Sequence, residues 1–146
     1  MGQTHDLRCS KCGYGITAML GIGMLYSPGN VFQGNQPILL DLVSDQKQAK
    51  KALDQIAAGA KIFENYGHEL YACLQDFFLY DKFYFKVGSM EPVYQCPYGD
   101  GVLERLTFAK GQAGTTRLKF VGQEKYWQCP RCGNDAMIEY AFENWD

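Results

Sequence analysis

Residues 45 to 60 show the clearest helical pattern in the chain. Asp45 is followed three residues later by Gln48, an arrangement that resembles a capping box at the start of a helix. Gly59 stands near the expected end of the helix. Apolar side chains recur between these points at the spacing of one helix face, namely Ala49, Leu53, Ile56, Ala57 and Ala60. The pattern predicts one amphipathic helix over residues 45 to 58.

After residue 68 the side chains alternate in character with a period of two, which is typical of a strand and not of a helix. Phe83 and Phe85 fall on one face of a predicted strand, and Tyr80 and Tyr84 fall on the other. We expect the phenylalanines in the core and the tyrosines on a half-wet aromatic face, because tyrosine combines an apolar ring with a polar tip. Further strands are predicted over residues 102 to 108, 117 to 121, 124 to 128 and 136 to 142, which favours an antiparallel layout.

Composition limits the class of protein. The 146 residues are 47% hydrophobic and 21% charged, which is enough apolar material for the core of one ordinary domain. The formal net charge of -2 gives no overall positive field, so nucleic-acid binding through a local patch is possible but not favoured. Residues 13 to 40 carry no charge, but glycines and prolines interrupt them, so we predict no membrane span.

The amino end bears on the redox state of the cysteines. Residues 1 to 8 contain no apolar run of signal-peptide length, so we expect a cytoplasmic location. Thiols stay reduced in the cytoplasm, where cysteine pairs are more often metal ligands than disulfides. All six cysteines are therefore candidate metal ligands: Cys9, Cys12, Cys73, Cys96, Cys129 and Cys132.

Two segments, residues 9 to 13 and residues 129 to 133, have the form C-x-x-C-G, and we call each of them a knuckle. Two residues between the cysteines let a tight turn aim both sulfurs at one tetrahedral ion. The glycine after the second cysteine permits a positive φ angle while backbone N–H groups point at the sulfurs. Two such segments in one reduced chain predict a structural zinc site.

The two remaining cysteines stand in incomplete copies of this pattern. Cys73 has Asp76 where the second cysteine of a knuckle would stand, and Cys96 has Gly99 there. We call residues 73 to 77 and residues 96 to 101 half knuckles. The order along the chain is therefore knuckle, half knuckle, half knuckle, knuckle.

The segments around the cysteines resemble zinc-ribbon proteins with rubredoxin-type knuckles, in particular small bacterial proteins of unassigned function that carry C-x-x-C-G-Y near the amino end. The resemblance implies an α+β fold, mainly an antiparallel β zinc-ribbon architecture with one amphipathic helix. It also implies a single compact domain over residues 1–146, with two packed ribbon halves, 1–90 and 91–146, as the alternative. Such knuckles identify a scaffold rather than a function.

Three arrangements of the metal ligands are compatible with this pattern. In the first, each half of the chain holds its own ion on three sulfurs, with His68, Asp76, Asp100 or water as the fourth ligand. In the second, the two knuckles meet in space and form a single closed site of Cys9, Cys12, Cys129 and Cys132. This second arrangement leaves Cys73 and Cys96 as ordinary buried cysteines. In the third, one or both ribbons have lost the metal and fold by packing alone.

No catalytic residue can be chosen from the sequence. His5 and His68 are far apart in the chain and complete neither the H-E-x-x-H motif nor the motif of the zinc deaminases. We therefore favour a non-enzymatic zinc protein that presents the aromatic strand to a protein partner, as an interaction or adaptor module. The alternatives are a nucleic-acid-binding regulator and a metalloenzyme with an open three-cysteine zinc site.

Overall fold

The structure, a computed structural model, describes residues 2–23, 26–110 and 114–145. Within these residues it forms seven strands and three helices. In chain order these elements are β1 (Gly2–Cys9), β2 (Gly15–Gly21), α1 (Pro28–Phe32), α2 (Leu39–Leu42), α3 (Gln46–Ala57), β3 (Gly67–Cys73), β4 (Leu79–Tyr84), β5 (Leu103–Lys110), β6 (Thr116–Phe120) and β7 (Ala136–Trp145).

Six of these strands close into a ring. Around the ring the hydrogen-bonded order is β2, β1, β7, β6, β5 and β3, and these pairings are antiparallel. The ring closes where Gly21 of β2 pairs with His68 of β3. β4 pairs with β3 from Gly67 to Ala72 and does not belong to the ring.

The expected α+β zinc-ribbon architecture with one amphipathic helix is wrong. The described residues form a mostly antiparallel β structure with a closed six-stranded barrel and only small helices. A ribbon pairs strands that are close in sequence, whereas here β1 pairs with β7, from the other end of the chain, over its whole length. Knuckle motifs and strand periodicity are local signals, so they do not specify which distant strands pair.

The helix expected over residues 45 to 58 is present as α3. Asp45 is its N-cap, and its side chain accepts hydrogen bonds from the backbone N–H groups of Lys47 and Gln48. The strand expected over residues 124 to 128 does not form; one isolated bridge joins Lys119 and Tyr126 there. Among the described residues α3, with twelve residues, is the longest helix, and none has the length and hydropathy that a membrane-spanning helix needs.

Apolar side chains gather in three buried clusters. The first lies between the barrel strands and includes the fully buried side chains of Trp127 and Met137. The second packs the helices against β4 and the chain that follows it, with Phe85 at its centre. The third lies beside β3 and β5 and contains Cys73 and Cys96. The cysteines of the half knuckles therefore share a small core of their own.

The prediction that β4 has a buried phenylalanine face and a half-wet tyrosine face is only partly correct. Phe83 and Phe85 are buried, as the alternation predicts. Tyr84, however, is only 4% exposed, so the prediction that it lies on a half-wet face is wrong. The Tyr84 hydroxyl donates to Glu91 Oε1 at 2.6 Å, and the Arg105 guanidinium lies 3.7 Å from the centre of the ring. Segments that follow β4 in the chain cover this face. The alternation of residues within β4 does not indicate this covering.

Candidate metal centre

The two knuckles lie next to each other in space. Cys9 ends β1, and the second knuckle immediately precedes β7. Because β1 and β7 pair side by side, with Cys9 opposite Met137, the two ends of the chain carry their knuckles to the same place. All four knuckle sulfurs lie within 4.8 Å of one another. The members of this group are Cys9, Cys12, Cys129 and Cys132.

The distances within this group suit a tetrahedral ion. The Cys9 and Cys132 sulfurs are 3.5 Å apart, and the Cys12 and Cys129 sulfurs are 3.4 Å apart. A Zn–S bond of about 2.3 Å places two sulfurs of a tetrahedral site about 3.8 Å apart. The four side chains can therefore hold a metal ion after small adjustments, and they supply a complete set of sulfur ligands.

The backbone of each knuckle supports this geometry. The N–H groups of Gly13 and Gly133 donate to the carbonyl oxygens of Cys9 and Cys129, at 3.1 and 2.9 Å. Both glycines have positive φ angles, +81° and +79°, which a residue with a Cβ adopts only with strain. The sequence signal of glycine after the second cysteine therefore has a direct structural cause.

The four thiols are electrostatically unequal without a cation. Burial raises the pKa of Cys9, but hydrogen bonds from the backbone N–H groups of Cys12 and Lys11 and from the side chains of Cys132 and Asn134 together outweigh it and bring that pKa to about 6. The Asn134 backbone lowers the pKa of Cys132, but burial and the neighbouring thiols raise it to about 12. Four neighbouring thiolates repel one another. The charge of a bound divalent cation offsets this repulsion and so favours the thiolate form of every ligand.

The half knuckles also come together, which the sequence arguments do not anticipate. Cys73, Asp76 and Cys96 form a second group whose ligand atoms all lie within 4.8 Å of one another. Both cysteines are buried, as expected, but they are neighbours rather than separate core residues. The nested order of knuckles and half knuckles is the sequence signal for this grouping. The fold makes the contact through β5, since Cys73 pairs with Leu103 and the adjacent Val102 pairs with Gln95, next to Cys96.

Other predicted ligands lie elsewhere. Among the described residues, neither His68 nor Asp100 belongs to a group of three or more potential metal-ligating side chains. The His68 ring packs 5.5 Å from the Phe83 ring instead. Each half of the chain has two knuckle cysteines and one further cysteine, but these three do not gather in either half. Cys73 groups instead with Cys96 from the other half. The described chain thus contains no three-cysteine group of the kind expected for the first arrangement.

A cleft of about 410 Å³ lies between α2, the start of β3 and the second half of β4. Burial lowers the pKa of His68 in this cleft, and the nearby charge of Asp81 opposes that effect. Asp81 in turn accepts a hydrogen bond of 3.0 Å from the backbone N–H of Met19. The sequence arguments miss this cleft because its walls come from segments that are distant in the chain: Met19, Tyr26, Asp41, Leu42, Ser44, His68, Asp81, Lys82, Phe83 and Tyr94.

Comparisons with protein-family models, with curated proteins and with solved structures give no match.

Proposed function

We propose that this protein is a non-enzymatic zinc protein of a reducing compartment such as the cytoplasm, and that it acts as a protein-interaction module. The observation that carries the proposal is the convergence of four cysteine sulfurs from the two ends of the chain. Four thiolates in a closed tetrahedral arrangement are typical of structural Zn²⁺ and leave no open position for a substrate.

In this proposal the ion joins the first and last strands of the barrel. It binds one knuckle at the end of β1 and another at the start of β7, two neighbouring strands of the ring. Because the unfolded chain has no preformed site, the free energy of zinc binding adds directly to the free energy of folding. The metal is therefore a scaffold that holds the binding surface in place.

The surface best suited to a partner is the outer part of β7. Beyond Met137, the edge of β7 that faces away from β1 has no strand paired with it in the described part of the chain. Tyr140 and Phe142 on this segment are 67% and 51% exposed, and the His5 ring lies 5.8 Å from the Phe142 ring and 6.2 Å from the Phe108 ring. An unpaired edge beside exposed aromatic rings fits an extended segment of another protein, which adds a strand and inserts its apolar side chains.

Metal analysis tests the first part of the proposal. Native mass spectrometry of protein purified under reducing conditions should show zinc, and Cys9→Ser and Cys129→Ser should each remove the same ion. Chelation should abolish cooperative unfolding of the wild-type protein. Wild-type protein that folds cooperatively at its metal-free mass would contradict the proposal.

Peptide binding tests the second part. A displayed library of extended apolar segments should yield ligands whose binding is lost in Phe142→Asp and in Tyr140→Asp, since a carboxylate in place of either exposed ring opposes an apolar segment. Val121→Ser, which alters an exposed apolar residue away from β7, is the matched control and should bind normally. Ligands that bind all three variants equally would exclude β7 as the interaction surface.

A further inference from the structure

The half knuckle of Cys73 keeps the backbone geometry of a complete knuckle. The Gln75 N–H donates to the Cys73 sulfur at 3.4 Å, as the Arg131 N–H donates to the Cys129 sulfur at 3.4 Å. The N–H of Phe77 donates to the Cys73 carbonyl at 2.8 Å, which repeats the bond that each knuckle glycine makes. The turn has therefore retained its shape although its second cysteine is replaced by Asp76.

Phe77 occupies a backbone conformation that normally belongs to glycine. Its φ angle is +61°, and it is the one non-glycine residue with a positive φ among the described residues. A left-handed conformation costs about 1–2 kcal/mol in a residue with a Cβ. Strain of this kind persists where the surroundings require the local geometry, and it clusters at binding and catalytic sites. Here the strained turn places Asp76 where a knuckle has its second metal ligand.

The half knuckle of Cys96 is preserved in the same way. Its N–H donates to the carbonyl of Gly101 at 2.9 Å, as the N–H of Cys129 donates to Asn134 at 2.8 Å. The Cys96 sulfur also accepts a hydrogen bond from the backbone N–H of Tyr98, two residues later. Gly99 takes the position of the second cysteine, so this turn contributes one sulfur and leaves one ligand position without a side chain.

The remaining ligand atoms of the two half knuckles converge. Asp76 Oδ1 accepts a hydrogen bond from the backbone N–H of Phe78 at 3.0 Å, which leaves Oδ2 directed at the Cys96 sulfur, 3.6 Å away. Zn–S and Zn–O bonds of about 2.3 and 2.1 Å place such a pair of atoms about 3.6 Å apart in a tetrahedral site. The backbone hydrogen bond orients the carboxylate, as groups around a metal ligand commonly do.

The surroundings of this group favour a bound ligand. Cys73 and Cys96 are 1% and 5% exposed and pack among Tyr71, Tyr94 and Leu103. Tyr80 packs against the same cluster, and its buried hydroxyl makes no hydrogen bond within the described chain. A buried hydroxyl without a partner is costly, which indicates that a further polar group completes this region.

We propose that Cys73, Asp76 and Cys96 form a second metal site, for Zn²⁺ or a divalent cation of the same class, with its fourth position open to water or a small exchangeable donor. Three protein ligands leave a fourth position that an exchangeable donor can take, whereas the four-cysteine group is closed. The proposal rests on residues outside the four-cysteine group and does not depend on that group's role.

Metal stoichiometry distinguishes the two sites. Reduced wild-type protein reconstituted with Zn²⁺ should carry two ions by native mass spectrometry. Cys96→Ser and Asp76→Asn should each carry one, and Asp100→Asn, which changes a neighbouring acid outside the group, should keep two. The ion that remains at the four-cysteine group shows that these variants are folded.

Two results would overturn the proposal. One is a wild-type protein that carries a single ion and loses none on Cys96→Ser. The other is a wild-type mass lower by two hydrogen atoms with no second ion, which would mean that Cys73 and Cys96 form a disulfide instead. Failure of the four-cysteine site alone would appear differently, as an ion count that responds to Cys96→Ser but not to Cys9→Ser.

Cobalt substitution tests the open position. The visible spectrum of the Co²⁺-loaded wild-type protein should change on addition of imidazole, because only an open site can accept it. Gly99→Cys supplies the missing sulfur; its Cβ would lie 2.8 Å from Gln75 Oε1, so it is combined with Gln75→Ala. The double variant should keep two ions and no longer respond to imidazole, whereas Gln75→Ala alone should respond. A wild-type spectrum that imidazole leaves unchanged would overturn the open position.

Discussion

The indole N–H of Trp127 donates a hydrogen bond of 2.7 Å to the backbone carbonyl of Phe77. Phe77 ends the half knuckle of Cys73, and Trp127 stands two residues before Cys129. Trp127 is fully buried and Phe77 is half-buried, so this bond is partly shielded from water. One contact therefore links the surroundings of the two cysteine groups.

Trp127→Phe should destabilise the protein by about 1–3 kcal/mol, because it removes the indole hydrogen bond and part of a fully buried side chain. Chemical denaturation of fully metal-loaded protein gives the free energy of unfolding. Tyr140→Phe, on a side chain that is 67% exposed, is the control and should change that free energy little. Equal stability of the two variants would mean that the Trp127 bond contributes nothing.

Tyr84→Ala should destabilise the protein about as much as Phe83→Ala, by about 3–5 kcal/mol, because both aromatic side chains are buried. Thermal and denaturant unfolding measure the difference. Tyr140→Ala should cost less than about 0.5 kcal/mol, because that residue lies on the surface away from buried features. A small effect of Tyr84→Ala would restore the half-wet aromatic face that the alternation predicts.

The sequence predicts local features of this protein well and long-range ones poorly. The knuckles follow from residue spacing, and the helix start at Asp45 follows from its capping chemistry. The ring of strands closes at one backbone pair, between Gly21 and His68, which no local pattern encodes. The burial of Tyr84 likewise depends on Arg105, a residue of another strand.

For the candidate metal ligands too, the sequence identifies the local features and not the long-range ones. Spacing alone identifies the cysteines of the two knuckles, because each pair lies within one turn. Which pairs share an ion depends on the pairing of β1 with β7. Asp76 is visible in the sequence as a departure from the knuckle pattern, but its approach to Cys96 follows only from the fold.

Gly13→Ala and Gly133→Ala should each destabilise the protein by about 1–2 kcal/mol through backbone strain, because both positions have positive φ angles. A Cβ at either position meets nothing within 4 Å, so the ion count should not change. Gly29→Ala is the matched control, since it also meets nothing within 4 Å and its φ angle is not positive. Loss of the ion in Gly13→Ala or Gly133→Ala would show that these glycines do more than permit the turn.

His68 should make the protein less stable as the pH falls below about 6.5, the ordinary pKa of histidine. Burial lowers the pKa of His68 in the folded protein, so the unfolded chain takes up a proton that the folded chain resists. Above that pH both states are neutral at this residue and it has no effect. His68→Gln should therefore lose less free energy of unfolding than the wild type when the pH falls from about 6.5 to about 5. Acid also protonates the cysteine ligands, but it does so in both proteins, so the difference between them isolates the histidine. Parallel pH profiles would show that His68 titrates alike in the folded and unfolded states.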